Sequence, residues 1–455
     1  MDLLGLHTLP FLARRNYYYE LKHILAWSCL VGLVEGQFSA IVVARTFDGS
    51  PRLIAIASAT PAAAFLCSLF WGMLCIGRPK IRLMTGLCLC ITLLVGTIGA
   101  IPPTPTGAIW FICQMAAAQA LLAGVITLRS AVWKSNYPTR SRARITARLQ
   151  AVRFVIGVVT LLVGASICDR DPTAYRFLYP AVAFFGLVGS LLLQKIHIRG
   201  ERSELGHQDH RLVEFQARAG LAEPLSLTAL LSPGHIFGRM VGVLRRDKRF
   251  TKYLIAQSFV GVGNFMTIPV VVFVVTQEMD LGLSWGFWIS TGLIQALPQL
   301  VRMGSISRWA RLFDRVGVVQ FRVFNVSCWA FAMLFGMMAT IVVLNADRIG
   351  ASYLPLAAGL FAMRGFISGF GMGGGSLAWN IGHLHFAKAE EAEVYMGIHV
   401  FLTGLRGLIA PLLGMWIFQH FGWVVWLIAL LLSVCSVGMY ALLARQENRI
   451  AVHNT

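Results

Sequence analysis

Three charged residues stand inside long apolar stretches of the sequence, where ionised side chains are rare. They are Glu35, Arg364 and Arg406. Insertion scales put the cost of a charge at a helix centre in a membrane at about 2.5–3.5 kcal/mol, so such residues usually have a function or a specific partner. A carboxyl group in poorly hydrated surroundings can exchange protons near neutral pH, and a guanidinium group suits a carboxylate or phosphate. We therefore predict a proton-coupling role for Glu35 and a binding role for Arg364 and Arg406. A structural ion pair or helix-cap contact is the alternative.

Neutral polar residues in the same stretches could line one cavity with these charges. Asn264, Gln295 and Gln119 are the candidates, and Asn264 falls near the internal-repeat position of Glu35. Hydrogen bonds between neighbouring helices are the alternative role for each of them.

Another group of arginines lies towards the predicted ends of two apolar stretches. Arg129, Arg148 and Arg153 are placed there. Long basic side chains in such positions extend to the lipid headgroups or form part of a gate. We expect one of these two roles for them, and no binding role.

The composition excludes a soluble globular class. Of the 455 residues, 57% are hydrophobic and 13% are charged, whereas a soluble domain carries about a quarter charged residues. Apolar stretches of about 20 residues, the length of a membrane-spanning helix, recur along the chain. The predicted fold is an all-α membrane protein with twelve transmembrane helices. The predicted spans are 23–44, 53–76, 81–101, 107–129, 148–168, 174–194, 252–276, 285–303, 320–344, 352–379, 394–418 and 422–444.

The net charge of +19 is concentrated in alternate loops. Basic residues precede the first span, follow spans two, four and eight, and fill the segment 195–251, whereas the segment 101–107 carries no charge. Basic loops stay in the cytoplasm, so we expect an even number of spans with both termini cytoplasmic. Dispersed arginines next to spans argue against a nucleic-acid partner; membrane lipid is the expected environment.

The two halves of the sequence resemble each other. Val31-Gly32-Leu33 parallels Val260-Gly261-Val262, and the pair Gly157 and Gly164 recurs as Gly407 and Gly414 at the same spacing. Such a parallel repeat predicts two six-helix bundles that rock about a site between them. The predicted divisions are an N-terminal bundle over 1–194, a cytoplasmic loop over 195–251 and a C-terminal bundle over 252–455.

The loop after span eight carries a family motif. Leu312-Phe-Asp314-Arg315-Val-Gly317 resembles the signature of the major facilitator superfamily, and the segment 72–80 keeps its glycines and basic residues, including Arg78, but lacks the Asp. The resemblance implies a gating role for Asp314, Arg315, Gly317 and Arg78. The missing Asp puts the usual latch of the first half in doubt.

The same resemblance implies a solute carrier and no enzyme. We expect secondary active transport of a small organic solute, anionic because the intramembrane arginines outnumber Glu35, with a proton as co-substrate. Efflux of hydrophobic drugs and a non-transporting scaffold or sensor remain open as alternatives. No cofactor and no metal site is predicted, and a bacterial inner membrane is the expected location.

Overall fold

The computed structural model describes residues 11–74, 78–198, 233–279, 281, 286–387 and 392–453. Every regular element in these ranges is helical. Most of the predicted central loop, 199–232, lies outside them. The helices are α1 (Phe11–Val34), α2 (Phe38–Thr46), α3 (Pro51–Ala63), α4 (Cys67–Leu74), α5 (Lys80–Thr97), α6 (Pro105–Asn136), α7 (Thr139–Arg170), α8 (Tyr175–Leu193), α9 (Pro233–Arg246), α10 (Lys248–Phe273), α11 (Gly286–Thr291), α12 (Leu297–Val316), α13 (Val318–Leu344), α14 (Ala346–Ile349), α15 (Tyr353–Ile381), α16 (Ala392–Phe421) and α17 (Val424–His453).

Ten helices in the described ranges are long and apolar enough to cross a membrane, and the bent pair formed by α1 and α2 raises the number to 11. The predicted span 285–303 corresponds to α11, a π-helical turn at Gly292–Ala296 and the start of α12. This segment is more polar than the others because it carries Gln295, Gln299 and Arg302. This segment is not long and apolar enough to count as a candidate span, so the described residues contain 10 or 11 candidate spans and not the twelve predicted.

The two halves of the chain repeat the same helix pairing. In the first half α1 packs against α7 and α8, and α5 packs against α6 and α8. In the second half α10 packs against α16 and α17, and α13 packs against α15 and α17. This correspondence is what a parallel repeat of six spans requires. Each half therefore builds its own helical bundle around buried apolar side chains.

Several helix pairs join the two bundles. Helix α3 packs against α16, and α7 packs against α11 and α12. Small residues allow close contact in the first pair: a Cβ added to Gly407 would lie 2.3 Å from Ala62 Cβ, and one added to Gly404 would lie 2.8 Å from the backbone nitrogen of Leu66. Small residues at helix interfaces bring backbones together in a membrane. These pairs form part of the contact surface between the bundles.

The first span is broken near its middle. Helix α1 ends at Val34, α2 begins at Phe38, and their axes differ by 49°. Gly36 makes the turn with a φ of 88°, a conformation that glycine adopts at no steric cost. A Cβ at Gly36 would also lie 2.6 Å from Gln295 Nε2. Glycine is thus required by backbone conformation and by close contact with the other bundle.

Replacing Gly36 tests this account of the break. Gly36→Ala should lower the free energy of unfolding by roughly 1–3 kcal/mol, the usual cost of forcing a non-glycine residue into a sparsely populated backbone conformation. Thermal unfolding of the purified protein in detergent measures the change. Gly86→Ala is the matched control because Gly86 is an exposed residue of α5 with open space around its Cα. Equal melting temperatures for the two variants would contradict the account.

Candidate functional site

The break in the first span frees backbone groups that a continuous helix would have paired internally. Inside a membrane such groups need other partners, because no water is available to them. Gln119 of α6 donates from Nε2 to the carbonyl oxygen of Val34 at 2.9 Å. Gln295 donates from Nε2 to the carbonyl oxygen of Glu35 at 3.0 Å, and its Oε1 accepts from the backbone N–H of Gln37 at 2.7 Å. Two buried glutamines, at 3% and 6% exposure, therefore hold the break.

Gln295 belongs to the second bundle, whereas the break belongs to the first. Its side chain leaves the π-helical turn between α11 and α12. It makes two hydrogen bonds across the interface. The sequence prediction placed Gln119 and Gln295 in a cavity with Glu35, and the structure does bring both to the backbone around Glu35. The contacts that it shows are the helix-to-helix hydrogen bonds named as the alternative.

Glu35 forms an ion pair with Arg153 of α7. The Nη2 group of Arg153 donates to both carboxylate oxygens. The Glu35 side chain is 39% exposed and that of Arg153 is 15% exposed, so the pair is shielded yet reachable. We expected Arg153 to extend to the headgroups or to form part of a gate. In the structure it pairs with a specific residue of the first span. Neither Arg364 nor Arg406 pairs with Glu35.

A second arginine approaches the pair from the other bundle. Arg302 of α12 lies within electrostatic range of both Glu35 and Arg153. Its guanidinium lies 5.1 Å from the centre of the Phe154 ring, and its Nε is buried without a hydrogen-bond partner among the described residues. Two guanidinium groups thus face one carboxylate where the bundles meet. The site has a local excess of positive charge.

A small cavity adjoins the ion pair. Its lining includes Glu35, Arg153, Phe154, Gln295 and Gln299. Its volume is about 20 Å³, which is room for about one water molecule. Water can therefore reach the carboxylate, but the cavity is too small for an organic molecule.

Arg364 and Arg406 lie elsewhere in the second bundle, and neither lines this cavity. Arg364 is 7% exposed, and its guanidinium lies 5.4 Å from the centre of the Trp426 ring. Arg406 is 9% exposed and donates to Ser258 Oγ at 3.1 Å and to Thr403 Oγ1 at 2.6 Å. Asn264 is half-buried in the continuous helix α10. The predicted binding residues therefore do not form one constellation.

The residues of the family motif lie on the surface. Asp314, Arg315 and Arg78 are exposed. No hydrogen bond or ion pair joins Asp314 or Arg315 to another residue in the part of the chain that the structure describes. Gly317, with a φ of 74°, makes the turn between α12 and α13. Their gating role stays a prediction.

The first bundle contains a buried polar network that the sequence analysis did not identify. Trp133 Nε1 and Tyr137 Oη donate to the carboxylate of Glu20, which is 2% exposed. His23 donates from Nδ1 to the carbonyl oxygen of Gly189, so its Nε2 accepts from Arg129 at 2.8 Å. Arg129 is thus buried in the bundle instead of reaching the headgroups. The spacing of four residues from Trp133 to Tyr137 and of three residues from Glu20 to His23 was the available signal, because residues spaced this way share a helix face.

The bundles are joined at the end that carries the loop between α2 and α3. Asp169, at the end of α7, accepts hydrogen bonds from the backbone N–H groups of Phe287 and Trp288 at 2.7 and 2.9 Å. Gln277 donates to the carbonyl oxygens of Ala44 and Gly49. These contacts cross from one bundle to the other. The two bundles are therefore held together at this end of the structure, which we call the closed end.

The model of the Major Facilitator Superfamily matches residues 25–405. That match spans most of the chain. The chain belongs to this superfamily. No curated protein matches it.

Solved structures of transporters share the fold. The nucleoside transporter NupG superposes with a TM-score of 0.65 at 14% identity, over 94% of this chain and 100% of that one. A D-xylose-proton symporter gives 0.65 at 12%, covering 93% and 96% of the two chains. A peptide transporter, POT, in complex with sulfate gives 0.64 at 13%, covering 96% and 95%. At this identity the likeness establishes the fold of a multi-pass membrane transporter, and the solute has to be inferred from this chain's own residues. No group of three or more metal-ligating side chains occurs within the described ranges.

The closed end yields a test that depends on Asp169. Asp169→Asn leaves one oxygen where two accept hydrogen bonds, so the contact with α11 should weaken and the open population should rise about tenfold. Maleimide labelling of a cysteine introduced at the buried Ser290, 0% exposed, measures opening, after subtraction of labelling without that cysteine.

A neighbouring carboxylate supplies the control for this test. Asp171 is bonded through its side chain to Thr173 in its own turn, so Asp171→Asn should leave the labelling rate unchanged. If both variants label at the wild-type rate, Asp169 does not hold the bundles together.

Proposed function

We propose that this superfamily member is a proton-coupled secondary active transporter of a small organic anion, which works by alternating access. Glu35 is the proton-carrying group. The single observation that carries the proposal is the Glu35–Arg153 ion pair, which sits at the helix break that Gln295 of the opposite bundle bridges. An ionisable side chain therefore lies directly at the contact surface between the bundles.

Protonation of Glu35 has a direct mechanical consequence in this arrangement. A neutral carboxyl group no longer attracts the Arg153 guanidinium, and removing one member of a shielded ion pair leaves the other without its counter-charge. The backbone of Glu35 is itself a partner of Gln295. A change at the Glu35 side chain is therefore transmitted to a contact between the bundles within one residue.

The charge balance at the site favours an anionic solute. With Glu35 protonated, Arg153 and Arg302 face each other across the interface without a carboxylate between them. A carboxylate or phosphate group of a solute can accept hydrogen bonds from both, which is the geometry that guanidinium groups serve best. We place solute binding at Arg153 and Arg302, with Gln295 beside them. Arg364 and Arg406 are set back in the second bundle.

Alternating access follows from the contacts between bundles. The contacts of Asp169 and Gln277 close one end of the path, and the surfaces of small residues on α3 and α16 allow the bundles to rotate without unpacking. Under this proposal the closed end faces outward and both termini face the cytoplasm. The chain moves its solute unchanged.

Proton flux in proteoliposomes tests the proposal. With an imposed proton gradient and a pH dye trapped inside, pools of small organic acids are added to wild-type protein and to Glu35→Gln. At least one pool should drive proton movement in the wild type. Glu35→Gln should abolish that movement, because an amide does not release a proton at the pH of the experiment. Binding of the active pool should survive in Glu35→Gln, since the amide resembles the protonated carboxyl group.

Asp347→Asn serves as the control, because Asp347 is an exposed carboxylate in the turn after α13. Its proton flux should equal that of the wild type. Solute movement without protons in both wild type and Glu35→Gln would make the protein a uniporter or a carrier coupled to another ion. Proton-coupled movement of neutral solutes alone would remove the anion from the proposal.

A further inference from the structure

A second buried cationic cluster lies inside the second bundle, apart from the Glu35 cavity. It consists of Arg322 on α13 and Arg406 and His399 on α16, which are 3%, 9% and 3% exposed. Arg322 and Arg406 donate hydrogen bonds to consecutive residues of α10, Gln257 and Ser258, and both lie within electrostatic range of His399. We call these three residues the cationic cluster. The proposed transport mechanism makes no use of it.

Neutral groups supply the hydrogen bonds of Arg322. It donates from Nη1 to Asn325 Oδ1 at 2.8 Å and from Nη2 to Gln257 Oε1. Its guanidinium lies 5.2 Å from the centre of the Tyr440 ring. Arg322 therefore keeps its positive charge, and its buried Nε donor has no partner among the described residues.

Arg406 is held in the same way. Its two terminal nitrogens donate to the hydroxyl groups of Ser258 and Thr403, and its Nε is buried and unpartnered within the described ranges. Gly261 makes room for it, because a Cβ there would lie 3.2 Å from Arg406 Cζ. His399 Nε2 is also buried without a partner among the residues that the structure describes. Each member of the cluster thus keeps one buried donor or ring nitrogen available.

The two halves differ in how such an arginine is neutralised. In the first bundle Arg153 of α7 meets a carboxylate of the first span, Glu35. In the second bundle Arg406 of α16 packs in the corresponding way on α10, but it meets Gly261 and Ser258. No carboxylate in the described ranges contacts Arg322 or Arg406. Uncompensated charges in a medium of low dielectric constant are costly, and a counter-ion removes that cost.

We propose that the cationic cluster binds a small anion. The anion accepts hydrogen bonds from the unused Nε groups of Arg322 and Arg406 and lies beside His399, so it ties α13 to α16 as Glu35 ties the first span to α7. A halide such as chloride and the carboxylate group of an organic acid share the chemistry that the site requires. Either source makes the stability of the second bundle depend on anions.

Thermal unfolding of the full chain in detergent tests this inference. Chloride or acetate is titrated at constant ionic strength into a buffer whose background anion is the bulky sulfonate of HEPES, which contains neither a halide nor a carboxylate. A saturable rise in the melting temperature is expected with at least one of them. A rise with chloride alone assigns the site to a halide, and a rise with acetate, alone or as well, assigns it to a carboxylate. A melting temperature that responds to neither anion would overturn the inference.

Substitutions in the cationic cluster test whether the anion-dependent rise in melting temperature arises there. Arg406→Gln and Arg322→Gln should each weaken the apparent affinity for the anion by about tenfold or more, since each removes a charged donor. Arg406→Lys should retain part of the response. Arg348→Gln, at an exposed position after α13, should titrate like the wild type. An unchanged titration in Arg406→Gln and Arg322→Gln would refute the assignment.

A measurement on the unaltered protein covers the case in which the variants do not fold. A crystal soaked in sodium bromide should give an anomalous peak within hydrogen-bond distance of Arg322 or Arg406. The absence of a peak there, together with peaks at other basic residues, would show that bromide does not enter the cluster and would refute the halide form. A parallel soak in acetate, read out as difference density at the same place, tests the carboxylate form. The anion titration should also be unchanged in Arg302→Gln, which removes a guanidinium group assigned to the solute, and this separates the anion of the cationic cluster from the solute at the Glu35 cavity.

Discussion

The satisfaction of backbone hydrogen bonds inside a membrane is the constraint on which this structure depends. A helix that breaks in the middle of a span exposes polar groups that lipid cannot pair. Here the break between Val34 and Phe38 is allowed because Gln119 and Gln295 replace the lost partners. One of these glutamines comes from the other bundle. The hydrogen bonds of Gln295 that satisfy the broken backbone are therefore also a contact between the bundles. The adjacent Glu35–Arg153 pair is placed where a change in charge would affect that contact.

The charges follow the same logic of local compensation. Glu35 and Arg153 neutralise each other next to the break, whereas Arg302 adds a charge that nothing among the described residues balances. In the second bundle Arg322 and Arg406 carry two charges surrounded by hydroxyl, amide and aromatic groups. Buried charges without counter-ions are costly. An excess of buried arginine in both places is the physical reason to expect anions as ligands of this protein.

The superfamily membership and the site geometry answer different questions. The family match places the chain in a superfamily of transporters, and its fold of two repeated bundles is shared with transporters of nucleosides, xylose and peptides at 12–14% identity. Function within such a fold depends on the particular side chains at its site. The ion pair, the helix break and the second arginine are features of this chain. They direct the search towards organic acids and protons.

The sequence by itself determined the membrane class, the repeat and the family, and it singled out Glu35 as a candidate. These follow from composition, local spacing and one charge in an apolar segment, none of which requires knowledge of distant contacts. Only the tertiary structure decided which groups meet. Arg153 is 118 positions from Glu35 and Gln295 is 260 positions away, so no local pattern could have named them as partners. For the same reason, the sequence could not show that Arg364 and Arg406 lie apart from Glu35. Helical periodicity shows which face a side chain occupies, but the helix that covers that face is chosen by packing along the whole chain.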